Sequence, residues 1–196
     1  MDNIFKKVDK TVAVSIFGGV IVSALVFSKS TKKRIRENII RIAKSYYGKK
    51  EIPQNKGFFD KNFEAEMKAV GFVSGMEWCA LFVKLVVLKA FYYNPVRNNL
   101  LNKKMNGSTQ LTFDFFSKNK GFWKVSITPK VGSIVNWRSV ETPASGHFGI
   151  VYEVKKNEFY TIEGNKNNQV DVVKHNISEM DKTTGLKLIG FVEFLK

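Results

Sequence analysis

Cys79 is the only cysteine among 196 residues, and it lies in the apolar run Trp78-Cys79-Ala80-Leu81-Phe82-Val83. A single thiol cannot form an intrachain disulfide, so Cys79 is either an inert packing group or a working one. Far downstream stand Gly146-His147-Phe148-Gly149-Ile150-Val151 and Thr161-Ile162-Glu163-Gly164-Asn165. A thiol, an imidazole, a carboxylate and an amide, each at the edge of an apolar segment, are the parts of a cysteine nucleophile with its base and orienting groups. Taken alone, a cysteine among aromatic residues is more often packing than chemistry. His147 is harder to read as core, because Gly146 and Gly149 leave room for something to approach its backbone. The combination tips Cys79 toward chemistry. The other histidine, His175, sits among Lys174, Asn176 and Ser178 and reads as surface. One cysteine and two distant histidines lack the ligand spacing of structural zinc, and no glycine-rich phosphate loop is present. The expectation is therefore no metal and no cofactor.

These residues need elements to hold them. Glu77 to Tyr93 is apolar almost all round and interrupted only by Lys84 and Lys89, which at this length reads as a buried helix. Cys79 then falls in its first turn, where the partial positive charge and free N–H groups favour a thiolate and could hold an oxyanion. Val154-Lys155-Lys156-Asn157-Glu158 is a polar break between two alternating runs and reads as a hairpin turn. A turn centred near Lys156 sets His147 opposite Asn165 and diagonal to Glu163. All three then share one face of the hairpin, since odd positions stay on one side. A carboxylate or amide on one imidazole nitrogen would aim the other nitrogen at the thiol.

Elsewhere, Ile35, Ile39, Ile42, Ala43 and Tyr46 recur at helical spacing and predict a helix from Thr31 to Tyr47, ended by Gly48. Residues 49–60 read as a loop, 63–70 as a short helix, and 108–116 as a helix capped at Ser108 or Thr109. From Pro129 the pattern changes to strands: 133–137, 148–154, 158–162, 170–173 and 186–195. Helices first and strands afterwards predict an α+β domain with an antiparallel sheet.

The net charge of +15 is large, and residues 1–36 carry +6 of it. A basic surface suits nucleic acid, anionic lipid or an anionic wall polymer, although a general Lys- and Asn-rich habit explains it equally well. Residues 11–28 (TVAVSIFGGVIVSALVFS) hold no charge and have lysines on both sides. At ~1.5 Å per residue such a helix rises ~27 Å, just enough for a bilayer core. The segment is either a retained transmembrane helix or a cleaved secretory signal. The lack of a small-x-small site in Ala24-Leu25-Val26-Phe27-Ser28 favours the anchor. Its glycines and serines leave it only moderately hydrophobic, as in lysis enzymes that insert weakly and later leave the membrane. Five basic residues follow it and three precede it, which by the positive-inside rule sets the large domain in the cytoplasm. The expected division is an N-terminal anchor or signal at 1–30 and a domain at 31–196.

Taken together, these motifs resemble the CHAP family, the cysteine- and histidine-dependent amidohydrolases and peptidases that cut bacterial peptidoglycan. The resemblance covers about residues 37 to 194. It is carried by Trp78 to Val83, Gly146 to Val151 and 161–165, with weaker echoes at Gly107-Ser108-Thr109, Pro129 to Val135 and Ile189-Gly190-Phe191. Ser133, where the family often has Asp, and Trp137, in place of a more usual Phe, depart from the pattern. The resemblance implies a papain-like α+β fold, with Cys79 as nucleophile, His147 as base, and Glu163 and Asn165 as orienting groups. It implies a peptidoglycan amide bond as substrate, either N-acetylmuramoyl–L-alanine or one in the stem or cross-bridge peptide. Trp78 and Trp137 become candidates for lining the groove. The domain would then face the cell wall, against the lysine count, or be secreted or virion-associated. The small size suits a phage enzyme acting at lysis or infection, or a bacterial wall-remodelling enzyme. The alternative is a membrane-tethered, non-catalytic binding or structural module that keeps the fold. A nucleic-acid-binding reading rests on charge alone, with no motif behind it.

Overall fold

The computed structural model describes residues 32–119, 121–142, 144–177 and 185–195. The apolar stretch 11–28 and the boundary expected at residue 30 lie outside them. Among the described residues, no helix is long and apolar enough to cross a membrane.

Helix α1 (32–44) buries Ile39, Ile42 and Ala43, and the turn after it ends at Gly48 with φ 77°. This is the amphipathic helix expected there, one turn shorter at its C-terminus. The segment expected to be a loop contains a hairpin of two-residue strands, β1 (Glu51–Ile52) and β2 (Gly57–Phe58), too short to leave a periodic signal. Helix α2 (Lys61–Ala69) starts where the Asp60 side chain accepts from the Phe63 N–H. Helix α3 (Cys79–Ala90) is buried at every position from Cys79 to Val87, which explains a sequence apolar on all faces. Helix α4 (Pro95–Lys104) was not foreseen. It has few apolar residues and so no stripe; its signals are the Asn94 cap and Pro95 in the first turn. Helix α5 (Thr109–Lys118) begins at Ser108, whose side chain accepts from the Leu111 N–H.

Six strands follow: β3 (Trp123–Ser126), β4 (Ile134–Ser139), β5 (Gly146–Lys155), β6 (Glu158–Lys166), β7 (Gln169–Asn176) and β8 (Leu186–Phe194). They form one antiparallel sheet in the order β3-β8-β4-β5-β6-β7. Only the short edge strand β3 was missed. The fold is thus α+β, helices first and antiparallel sheet afterwards. One face of the sheet packs Phe148, Ile150, Ile162 and Val192 against the helices, above all Phe82, Val83 and Val86 of α3. The alternate positions Val135, Trp137, Val151, Phe159 and Phe191 form a smaller cluster on the opposite face.

The β5–β6 hairpin has two registers. Next to the turn, Lys155 pairs with Glu158 and Val154 with Phe159. A bulge between Val151 and Glu153 then shifts the pairing by one residue, so that Val151 meets Thr161 and Ile150 meets Ile162. The shifted register is the one that a turn centred on Lys156 predicts, and it operates at the His147 end.

Candidate active site

Cys79 is the first residue of α3. The first bond into the helix runs from the Phe82 N–H to the Trp78 carbonyl, and no side chain caps this end. The Cys79 N–H is therefore left open beside the thiol. Trp78 holds this end in place. It is fully buried, meets Phe58, Phe63 and Phe82 edge to face, and donates its indole N–H to the buried carboxylate of Glu51. Trp78 was a candidate groove residue; its ring is core, and it serves by fixing the start of α3. Gly164 lets the helix come close: a Cβ there would lie 2.6 Å from Phe82 Cβ and 2.7 Å from Trp78 Cζ3.

His147 stands at the start of β5 and Glu163 near the end of β6, on the sheet face opposite the main core. His147 Nε2 is 2.9 Å from Glu163 Oε2. The carboxylate reaches it by lying across Gly149, where a Cβ would meet Glu163 Cγ at 2.9 Å. The room left by the glycine beside His147 is thus filled by the side chain that orients it. Gly146 has a different neighbour, the Trp137 carbonyl, 2.4 Å from where a Cβ would sit.

With Nε2 committed to Glu163, Nδ1 is the nitrogen left for Cys79. Burial alone would push the His147 imidazole down. The charges of Cys79 and Glu163, and hydrogen bonds to both, overcome it and raise the pKa to about 10. Burial would push Glu163, 1% exposed, up; the charge of His147 and hydrogen bonds from His147 and His175 instead hold it well below the usual carboxylate range. An ionised carboxylate only accepts, so His147 donates from Nε2–H.

Asn165 ends this run in the left-handed region, φ 60°. It lines the same polar cleft of about 340 Å³ as His147, Trp137, Glu77 and His175, but Glu163 is the residue that hydrogen-bonds His147. Trp137, 3% exposed, forms a wall of this cleft, its ring centroid 5.9 Å from that of His147. A larger groove of about 810 Å³, lined by Arg34, Arg41, Tyr93 and Arg97, holds none of the candidate residues.

His175 is not the surface residue its neighbours suggest. Its Nε2 lies 2.6 Å from Glu163 Oε1 and 3.0 Å from Thr161 Oγ1, and its ring lies against Trp137 and Phe159. Lys174 and Asn176 are polar because a strand alternates, and they point the other way. The pairing of β6 with β7 carries the signal: Phe159 pairs with His175 and Glu163 with Asp171, so odd residues oppose odd ones on one face. A turn centred between Asn167 and Asn168 pairs Lys166 with Gln169 and would set His175 against Tyr160; the irregularity between Glu163 and Lys166 shifts the register by one and brings His175 to the Glu163 face. Among the described residues no cluster of His, Cys, Asp and Glu could hold a metal ion.

A cysteine on a helix N-terminus, a histidine on a strand and a carboxylate on the next strand all fall within residues 71–165, the segment that matches the sequence model of the CHAP domain family. That segment is similar to a CHAP domain. The match is narrower than the 37–194 of the motif resemblance and ends at Asn165. Among solved structures, the crystal structure of Ly7917 aligns over 81% of this chain with 11% identity and a TM-score of 0.46. The aligned part covers 62% of that chain, less than two thirds of its length. No curated protein matches.

Proposed function

We propose that this chain hydrolyses an amide bond of peptidoglycan by cysteine catalysis, either N-acetylmuramoyl–L-alanine or a bond of the stem or cross-bridge peptide. The Cys79 thiolate attacks the carbonyl carbon, and the oxygen takes up the displaced electron pair beside the open N–H groups of α3. The His147 imidazolium gives its Nδ1 proton to the leaving nitrogen, the C–N bond breaks, and an acyl thioester remains. Water then attacks the thioester. His147 takes the proton from that water, and the carbon–sulfur bond breaks to restore the thiolate and imidazolium. Glu163 holds the ring and balances its charge throughout, with Asn165 as the second orienting group at the mouth of the cleft. No cofactor enters any step.

The observation that carries this reading is the His147 ring, hydrogen-bonded to Glu163 through Nε2 at 2.9 Å and coupled to Cys79 on its other side. Residues 11–28 serve in this proposal as a membrane anchor, with the domain on the wall side, as a phage lysis or wall-remodelling enzyme requires. The test is incubation of the full chain with purified peptidoglycan and mass spectrometry of the released ends. New L-alanine amino termini mark an amidase, and other termini a peptidase. Cys79→Ser is expected to lose at least about 1,000-fold in rate, since a hydroxyl does not supply the anion. Release by Cys79→Ser at the wild-type rate overturns the reading.

A further inference from the structure

We propose that His175 is a positioning residue of this centre: it holds Glu163 in the one orientation that lets Glu163 hold His147. The inference rests on the reading of Cys79 and His147 as the reacting pair. His175 lies on β7, ten residues past the end of the segment that matches the CHAP family.

Proton bookkeeping gives the direction of each bond. Thr161 Oγ1 lies 2.5 Å from Glu163 Oε1 and spends its only proton there. The ionised carboxylate has none to give. His175 Nε2 therefore carries a proton and donates to Glu163 Oε1 at 2.6 Å, with the Thr161 hydroxyl oxygen alongside at 3.0 Å. Glu163 thus receives two donors on Oε1 and His147 alone on Oε2. A carboxylate held by one oxygen in this way cannot rotate about its last bond without breaking two hydrogen bonds, one of them to a side chain 11% exposed.

Packing alone does not account for this arrangement. The His175 ring fills the space between Trp137, at 4.5 Å between centroids, and Phe159, at 5.2 Å and 25°. A phenyl ring would fill that space equally well. What a phenyl ring lacks is the N–H aimed at Glu163. The charged groups around it are Glu163 itself and, along the same cleft, His147, Glu77 and Lys166, with Asp171 on its own strand.

The test uses the full chain with two variants. His175→Phe keeps the stacking and removes the donor; His175→Gln restores an N–H donor. The first readout is peptidoglycan release, separated into kcat and KM. The second is the proton NMR signal of the His147 Nε2–H, which a hydrogen bond to a buried carboxylate shields from exchange and which needs no substrate. For His175→Phe we expect kcat to fall about 10- to 100-fold with KM within about twofold, because a misplaced orienting group acts on the reacting geometry. We expect the His147 N–H signal to be lost to exchange in that variant, and His175→Gln to recover both. A His175→Phe enzyme with wild-type kcat and an intact His147 signal overturns the proposal and leaves the enzyme reading standing. If the wild type itself releases nothing, the enzyme reading fails, and the NMR comparison still decides whether His175 controls Glu163 and His147.

Discussion

The His147 ring answers to two opposed forces, burial and its two anionic neighbours, and removal of one neighbour exposes the balance. In Cys79→Ser the influence of the sulfur on the ring is gone while burial and Glu163 stay. His147 should then titrate about one to three pH units below its wild-type value. Wild-type His147 titrates near 10, above the 6.5 of a free imidazole. Its charge therefore contributes stability that is fully present below about pH 6.5 and lost as pH rises through about 10. In Cys79→Ser that loss should be complete at lower pH. An NMR titration of the His147 ring protons checks this, and an unchanged midpoint would mean that the thiol does not act on the ring. At this scale the pairing of His147 with Glu163 was legible in the sequence because each sits in a short motif whose glycines mark a close approach, whereas Cys79 stood out as the single thiol. His175 has no such motif. Its partner lies on another strand, and only the register reveals it.

Among the elements, the joint between α3 and β6 sets how Cys79 stands to the His147–Glu163 pair. Gly164 is its narrowest point. Gly164→Ala puts a methyl into space held by Phe82 and Trp78. We expect it to cost about 1–3 kcal/mol of stability, as overpacking of a dense core does. We expect activity to fall further than stability, because the relief available is to move the first turn of α3, and Cys79 with it, away from β6. Denaturant unfolding and peptidoglycan release on the same preparation check this; unchanged stability would show that the helix has slack at the joint. The long elements were legible: α3 from its apolar run, α5 from its cap, and the core strands from alternation. The short hairpin of β1 and β2, the sparsely apolar α4 and the edge strand β3 left no periodic signal. The bulge in β5 was invisible for a different reason. A predicted turn position fixes one register, and the molecule uses two.

For the molecule as a whole, the candidate site lies entirely at residue 77 and beyond, whereas the apolar stretch 11–28 precedes α1. We expect a chain lacking residues 1–30 to fold, to remain in solution without detergent, and to release peptidoglycan fragments at a rate within about threefold of the full chain, because helix α1 and the sheet bury their own core. Sedimentation and the release assay check this. A truncated chain that aggregates would show that the apolar segment packs on the domain. The basic balance concerns partners rather than fold.

The two parts of the site also differ in how far apart they lie along the chain. His147, Glu163, Thr161 and His175 come from three consecutive strands, whereas Cys79 reaches them from 68 residues upstream of His147. The histidine–carboxylate half can assemble from local hairpins; Cys79 joins only when a long loop closes and α3 docks on the sheet. Recovery of hydrolysis should therefore trail sheet formation in refolding. A partly folded chain would hold a histidine pair without the thiol beside it, and the proposed activity would be silent until the fold is complete.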